Sequence, residues 1–288
     1  MPTSRDLASN SSYNLGVISK SAARAATKSD VNFGLLLRRW RVIRRLSQLN
    51  FALDAEISTR HLSCLETGRA QPSREMVLRL ADALQVPLRE RNALLLAGGY
   101  APVYRQTRLD TREMEVSSHA LDLLLTHQEP YPAFVVDRYW NTLRMNAGMK
   151  RFLGLFLGSD GFALGNPVRS VFHPQGLRPF IQNWEDVAAR LMRRVHREAA
   201  ANPCDEKMKA FLDELLSYPG VPARWRLPDF DGTAPPFLTI DYLWKRSTLR
   251  LFSMITTFGT AQDIELQELR IESFFPADET TRAALSPA

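Results

Sequence analysis

Residues 47–73 read SQLNFALDAEISTRHLSCLETGRAQPS and contain the signals that decide the fold of the N-terminal third. Ser47 and Ser58 each precede a short run with helical spacing, and serine there caps the free amides of a first helical turn. Gly68 follows the second run and can adopt the positive φ that often ends a helix. We therefore predict two short helices joined by a tight turn, at about 48–55 and 59–66.

The flanking sequence extends this pattern to five helices. Upstream, apolar residues recur at spacings of three and four, namely Phe33, Leu36, Leu37, Trp40, Ile43 and Leu46. Downstream, two further helical runs cover about 72–84 and 88–97 and stop at Gly98 and Gly99. Five short helices within residues 33–100 predict a compact all-α domain.

Positive charge is concentrated in the same region. Residues 33–108 carry 13 Arg and six acidic residues, whereas residues 109–288 carry 20 basic and 23 acidic residues. Residues 1–32 carry four basic and two acidic residues, and the 288-residue chain has a formal net charge of +6. A basic block beside an acidic one indicates a nucleic-acid-binding module next to a separate partner domain.

The rest of the chain has a different organisation. Residues 1–32 are rich in Ser, Ala and Asn and predict a disordered tail, and residues 101–114 predict a linker. Within residues 115–284 the pattern gives strands at about 133–137, 142–146, 237–244, 248–258 and 266–275. Helices are expected at about 115–127, 147–157 and 175–216, the last broken near Asn202 and Pro203. This predicts an α+β domain with an antiparallel sheet of about five strands.

Composition excludes several classes of protein. Cys64 and Cys204 are too few for a disulfide framework, and no Cys and His are spaced as a zinc site. No apolar run has membrane-spanning length, and the N-terminus lacks the apolar stretch of a signal peptide. A reducing, cytoplasmic setting is therefore expected.

The 47–73 motif resembles the helix-turn-helix of phage-repressor-type (XRE family) transcription regulators. The matching residues are Gln48, Ala52, Ile57, Leu62, Leu65, Glu66 and Gly68. The resemblance implies that the helix beginning near Thr59 enters the major groove of DNA. The implied DNA-binding residues are Gln48, Ser58, Thr59, Arg60, Ser63, Cys64 and Arg69, with Gln48 and Arg69 on phosphate and Arg60 suited to guanine.

Two further points concern the same motif. Arg41 and Glu66 match a pair that forms a partly buried structural salt bridge in the family. Two positions depart from the family pattern: Glu56 stands where Gly is usual, and Asn50-Phe51 stands where Glu-Leu is usual. Because Glu disfavours positive φ, we expect a slightly altered turn.

Residues from about 115 to 284 resemble the ligand-binding domain of MmyB-like (MltR-type) transcription regulators. The resemblance rests on Tyr131-Pro132-Ala133-Phe134-Val135-Val136-Asp137, Trp140-Asn141, Asn146, Asn166-Pro167 and Leu249-Arg250-Leu251. It implies a PAS-like domain whose sheet and helices enclose an apolar cavity for a fatty-acid-like ligand.

Strand alternation and the adjacent helix predict seven ligand-binding residues: Leu143, Met145, Phe152, Phe156, Arg250, Phe252 and Met254. Arg250 alternates onto the same strand face as Phe252 and Met254 and could pair with a ligand carboxylate. The alternative interpretation is that the apolar members are plain core and that Arg250 is a surface residue.

These features predict a homodimeric transcription regulator that binds double-stranded operator DNA and senses a small apolar ligand, with no metal or other cofactor. An alternative is a constitutive DNA-binding protein whose second domain only dimerises or binds protein. An enzyme acting on a lipid lacks a nucleophile in the sequence. A zinc deaminase is rejected because Lys207 stands where a second Cys would follow Cys204. The scattered His119, His127, His173 and His196 leave a haem ligand as a further alternative.

Overall fold

The computed structural model describes residues 32–158, 165–202, 205–227 and 239–286. The predicted tail at 1–32 therefore falls, apart from Asn32, outside the described residues. None of the helices in the described part of the chain is both long and apolar enough to cross a membrane.

The N-terminal domain contains the five predicted helices. They are Phe33–Ile43 (α1), Gln48–Asp54 (α2), Thr59–Glu66 (α3), Arg74–Ala83 (α4) and Leu88–Ala97 (α5). Ser47, Ser58 and Ser73 cap α2, α3 and α4, because each hydroxyl accepts a hydrogen bond from a backbone amide of the first turn. Local sequence signals thus set the helix starts.

The packing of this domain brings helices unusually close. Leu37, Phe51 and Leu62 are fully buried in one apolar cluster. A Cβ added at Gly34 would lie only 2.5 Å from the carbonyl oxygen of Glu66, so α1 can cross the end of α3 only with glycine at this position. Glu56 has φ 54°, so the turn between α2 and α3 keeps the left-handed backbone that glycine would adopt.

The C-terminal domain is the predicted α+β unit. Its helices are Glu115–His127 (α6), Ala147–Leu157 (α7), Pro167–Phe172 (α8), Trp184–Ala201 (α9), Glu206–Ser217 (α10), Ile264–Glu268 (α11) and Glu279–Leu285 (α12). Its strands are Ala133–Val136 (β1), Thr142–Met145 (β2), Ile240–Trp244 (β3), Ser247–Thr256 (β4) and Arg270–Pro276 (β5). They form a five-stranded sheet in the order β2-β1-β5-β4-β3, with every neighbouring pair antiparallel.

Two local predictions were wrong. The helix expected from residue 175 begins only at Trp184, because the preceding chain is pulled to the sheet: Ile181 forms a bridge with Tyr242, and Gln182 N donates to Asp241 O at 2.8 Å. The strand expected from residue 266 begins only at Arg270, because Asp263 caps the short helix α11. Tertiary contacts override the local pattern in both places.

A buried ion pair ties α1 to α3. Arg41 Nε donates to Glu66 Oε1 at 2.6 Å, and Arg41 Nη2 donates to Glu66 Oε2 at 3.0 Å. Gln48 Nε2 also donates to Glu66 Oε2, at 2.7 Å. Burial alone would raise the pKa of Glu66, but the hydrogen bonds from Arg41 and Gln48 and the nearby cationic charge together lower it below its ordinary value.

We expect Arg41→Ala to destabilise the N-terminal domain by about 3 kcal/mol, because it leaves the Glu66 carboxylate buried without its cation. Since folding lowers the pKa of Glu66, the contribution of the pair is present above the ordinary pKa of 4.5 and is lost as the pH falls through the lower folded value. Denaturant unfolding at neutral and acidic pH measures both effects. Arg79→Ala, an exposed change on α4, is the control, and equal stability of the two variants would contradict the prediction.

Candidate functional site

The N-terminal end of α3 presents a polar surface. Ser58, Thr59 and Arg60 are exposed, whereas Ser63 and Cys64 on the next turn are half-buried. Leu62 and Leu65 anchor the opposite face of α3 in the core. The structure therefore brings five of the predicted DNA-binding residues together on one face and one end of a helix, the arrangement that a major groove accepts.

Two of the predicted DNA contacts, Ser58 and Gln48, have side chains that already form structural hydrogen bonds, and a third, Arg69, is exposed. Ser58 Oγ accepts from His61 N at 3.1 Å and so caps α3. The side-chain amide of Gln48 is engaged with Glu66 at 2.7 Å, so its side chain already belongs to the ion-pair cluster. Arg69 is exposed just beyond the positive-φ Gly68.

In the second domain, Asp137 organises the tip between β1 and β2. Its Oδ1 accepts from the backbone amides of Tyr139 and Asn141, both at 2.8 Å, and its Oδ2 accepts from Asn141 Nδ2 at 2.8 Å. Trp140 then takes φ 65°, a left-handed backbone that is rare for a bulky residue. This conformation turns the indole inward, where it is 1% exposed.

Two buried asparagines fix the elements around this tip. Asn146 caps α7 and also accepts from Ala133 N at 3.0 Å, while its Nδ2 donates to Tyr131 O at 2.8 Å. Asn166 caps α8 and donates to Tyr139 O at 2.9 Å. The amide side chains thus link β1, α7, α8 and the tip through hydrogen bonds that apolar residues could not supply.

A cavity of about 420 Å³ lies between the sheet and helices α7, α8 and α9. Most of its wall is apolar and includes Phe134, Met145, Met149, Phe152, Leu153, Val168, Val171, Leu177, Val187, Leu191, Ile240 and Phe274. This volume and lining are typical of a small-molecule site.

One part of the wall is strongly polar. Arg190, Arg194 and Arg197 line the cavity from α9, at spacings of four and three that place them on one helix face. Ser253 and Glu272 line it from β4 and β5. Burial raises the pKa of Glu272 despite its hydrogen bond with Ser253 and the neighbouring charges of Arg194 and Arg270.

The structure places the seven predicted ligand-binding residues in different environments. Met145 and Phe152 line the cavity, and Phe156 lies behind Phe152 with ring centroids 5.2 Å apart. Leu143 is exposed because it is the extra residue of a bulge: Val135 pairs with Arg144, but Val136 pairs with Thr142. The bulge breaks the regular strand alternation that predicts an inward-facing Leu143.

The predicted face of β4 requires a correction. Ser253 and Ile255 line the cavity, so Arg250, Phe252 and Met254 project from the other face of the sheet. Phe252 stacks on Phe275 at 5.4 Å, and Arg250 lies 3.4 Å from the Asp241 carboxylate. The apolar pair Leu249 and Leu251, both fully buried, was the sequence signal for the correct face.

Sequence reasoning also missed the three arginines of α9, because cationic residues on a long helix are normally a solvated surface. Their common spacing was visible in the sequence, but only the fold shows that it faces a cavity.

Within the described residues, no group of three or more His, Cys, Asp or Glu side chains is arranged to hold a metal ion.

Comparison with known families agrees with this geometry. Residues 117–287 match the MmyB-like transcription regulator ligand binding domain, and residues 32–94 match a helix-turn-helix domain. Both are regulatory or ligand-binding families rather than enzymatic ones. No curated protein sequence is significantly similar to the chain. Since the first match alone covers more than half of the chain, the protein belongs to the MmyB-like family and is a DNA-binding transcription regulator with a ligand-binding domain of that family.

Proposed function

We propose that this protein is a cytoplasmic, homodimeric regulator whose operator affinity responds to a fatty-acid-like ligand, and that it catalyses no reaction. The observation that carries the proposal is the cavity, which combines a long apolar wall with three arginines at one side. An apolar chain with an anionic head matches both parts. The same proposal includes the PAS-like fold of the second domain and the dimeric state, both of which are expected from the family resemblance.

The carboxylate of such a ligand binds at Arg197, which lines the cavity near the C-terminal end of α9. Arg197 is exposed and has no ion-pair partner among the described residues, whereas Arg194 pairs with Glu198 at 3.1 Å. Val187 and Leu191 continue the same helix face toward the apolar part of the wall. A chain anchored at Arg197 therefore runs along α9 away from its charged end.

DNA recognition uses the exposed N-terminal end of α3. Thr59, Arg60 and Ser63 read base edges, Cys64 lies beside them, and Ser58, Gln48 and Arg69 hold the phosphate backbone. Two copies of the domain bind half-sites about 34 Å apart, as repressor-type dimers do. A ligand that favours one arrangement of the dimer shifts operator affinity by population shift.

One observation favours the alternative in which the second domain serves mainly for protein contact. Helix α6 exposes a stripe of apolar residues on its outer face: Val116 is 84% exposed, and Leu123 and Leu124 are each 45% exposed. The stripe suits a partner surface, including the dimer itself. A regulator whose operator affinity is the same with and without a cavity ligand would support this alternative.

The first experiment concerns DNA readout. We expect Arg60→Ala to cost about 1–3 kcal/mol in operator binding and to relax the preference at one base pair, because a guanidinium pairs bidentately with guanine. Arg69→Ala should instead weaken binding to all sequences alike and reduce the salt dependence. Affinity selection from a random DNA pool measures both. An unchanged base preference in Arg60→Ala would remove this residue from the readout.

The second experiment concerns the ligand head. We expect Arg197→Ala to weaken dodecanoate binding about tenfold, because a charge-assisted hydrogen bond is lost. Arg250→Ala is the matched control, since Arg250 lies on the opposite face of the sheet. The dodecanoate affinity of this variant should stay within about twofold of the wild type. Calorimetry with both variants measures the difference. Equal losses would place the carboxylate elsewhere, and denaturing mass spectrometry of the purified chain checks for a co-purified lipid.

The third experiment concerns Glu272. Because burial raises its pKa above the ordinary 4.5, Glu272 ionises only as the pH rises through this higher value. Its new negative charge then opposes an anionic ligand in the same cavity, so affinity should fall with rising pH. The probe is 1-dodecanesulfonate, which stays anionic throughout. Glu272→Gln should flatten the pH profile, and an equally steep profile in this variant would exclude Glu272 as the cause.

A further inference from the structure

Helix α11 of the ligand-binding domain joins the helix-turn-helix domain to the rest of the protein. Gln267 Oε1 accepts from Leu88 N, the first amide of α5, at 2.7 Å. The linker is bound to the same helix: Ile264 N donates to Arg105 O at 2.9 Å, and Thr107 N donates to Asp263 Oδ2 at 3.0 Å. The orientation of α5 is therefore fixed by α11.

Charged side chains reinforce this junction. Arg89 of α5 forms a bidentate pair with Glu268 of α11, with N–O distances of 2.7 and 2.9 Å. Arg138, from the tip between β1 and β2, donates to the same Glu268 at 3.1 Å and also to Asp205. Glu90 accepts from Asn202 at 2.6 Å. We call Arg89, Glu90, Arg138, Asn202, Asp205, Gln267 and Glu268 the interdomain clasp.

The clasp is shielded from water at its centre. The side chains of Asp205, Glu90, Arg138 and Glu268 are 7%, 13%, 16% and 18% exposed, respectively. Ion pairs at this depth are weakly screened, and each partner leaves an uncompensated charge when the other is removed. Removing any one of these four side chains therefore leaves a poorly hydrated charge on its partners.

The same tip of the sheet forms part of the cavity wall. Arg138, Tyr139 and Trp140 are consecutive: Arg138 belongs to the clasp, Tyr139 donates from its hydroxyl to Asp205 at 3.2 Å, and Trp140 lines the cavity. The indole N–H of Trp140 donates to Glu198 Oε2 at 2.9 Å. One rigid turn thus contacts the cavity on one side and the clasp on the other.

An anionic ligand would act on this turn through Arg194. This arginine lines the cavity, pairs with Glu198 at 3.1 Å and lies 4.6 Å from the centre of the Trp140 ring. A carboxylate bound at Arg197 lies one helical turn from Arg194 on the same face of α9, so it competes with Glu198 for the Arg194 guanidinium. The competition weakens the contacts that hold Trp140, and with it the turn that carries Arg138.

We propose that the interdomain clasp couples the cavity to the helix-turn-helix domain: occupancy of the cationic part of the cavity loosens the clasp and frees α5 from α11. This inference rests on the proposed function for the identity of its ligand. It adds the structural element whose contacts the ligand changes, which is the interdomain clasp. Coupling of this kind is reciprocal. If ligand binding shifts the clasp equilibrium toward the open state by a given factor, opening the clasp raises the ligand affinity by the same factor.

The first test uses the full-length protein, dodecanoate and amide hydrogen exchange followed by mass spectrometry. In the wild type, dodecanoate should raise exchange about threefold or more in peptides covering 86–92 and 263–270. Glu268→Gln should raise exchange there without ligand, reduce the response to dodecanoate and increase dodecanoate affinity about threefold or more. Glu214→Gln is the matched control, because it breaks a bidentate pair with Arg169 that lies outside the clasp. In that pair the N–O distances are 2.6 and 2.8 Å.

A second test needs no ligand. Trp140→Phe keeps a ring in place but removes the N–H bond to Glu198, and we expect it to raise exchange in the two clasp peptides about threefold or more. Trp184→Phe is the control: Trp184 likewise donates its N–H, to Val171 O at 2.8 Å, and lies against a guanidinium, that of Arg178. It does not line the cavity and should leave the clasp peptides unchanged.

The outcomes separate this inference from the proposed function. If dodecanoate changes wild-type operator affinity while the clasp peptides do not respond, the coupling through the clasp is wrong and the ligand assignment stands. If dodecanoate does not bind but Trp140→Phe opens the clasp, the coupling stands and the fatty-acid-like ligand is wrong. Unchanged clasp exchange in a folded Trp140→Phe protein overturns the coupling whichever ligand binds.

Discussion

The guanidinium groups of Arg194 and Arg270 lie over the indole ring of Trp140, 4.6 and 5.0 Å from its centre, and the indole N–H donates to Glu198. This arrangement keeps two cations close together inside a domain, because the ring faces and one shared carboxylate offset their repulsion. It also requires the left-handed backbone at Trp140 that the Asp137 carboxylate stabilises. The cavity wall and the tip of the sheet meet at this contact, and the same turn carries Arg138 of the interdomain clasp.

The N-terminal domain uses the same chemistry for a different purpose. The buried pair of Arg41 and Glu66 fixes α3 against α1, so that the exposed end of α3 keeps a constant orientation. In this domain the Glu66 carboxylate forms an ion pair with one arginine, Arg41. In the second domain the Glu198 carboxylate forms ion pairs with both Arg194 and Arg270 and also accepts a hydrogen bond from Trp140. An ion pair between two partners holds its helices rigidly. A carboxylate shared by several partners can exchange one of them when another anion binds nearby.

The sequence predicted the features that depend on neighbours along the chain. Helices α2 and α3 begin where Ser47 and Ser58 indicate, because caps act within one turn. Features that depend on distant contacts were missed. Before Trp184 the chain forms only a short 3-10 helix and then a bridge from Ile181 to Tyr242, instead of the predicted continuous helix. The bulge at Leu143 depends on the register of β2 with β1. The arginines of α9 looked like a solvated surface, since no local signal shows that a helix face covers a cavity.

The bulge at Leu143 has a consequence for how copies of this protein can associate. Strand β2 is at one edge of the sheet, where unpaired backbone groups can recruit a strand from another molecule. The strand is only four residues long and carries an extra residue in its middle, so its outer hydrogen-bonding groups do not form a regular row. This edge therefore resists the sheet extension that begins fibrous aggregation.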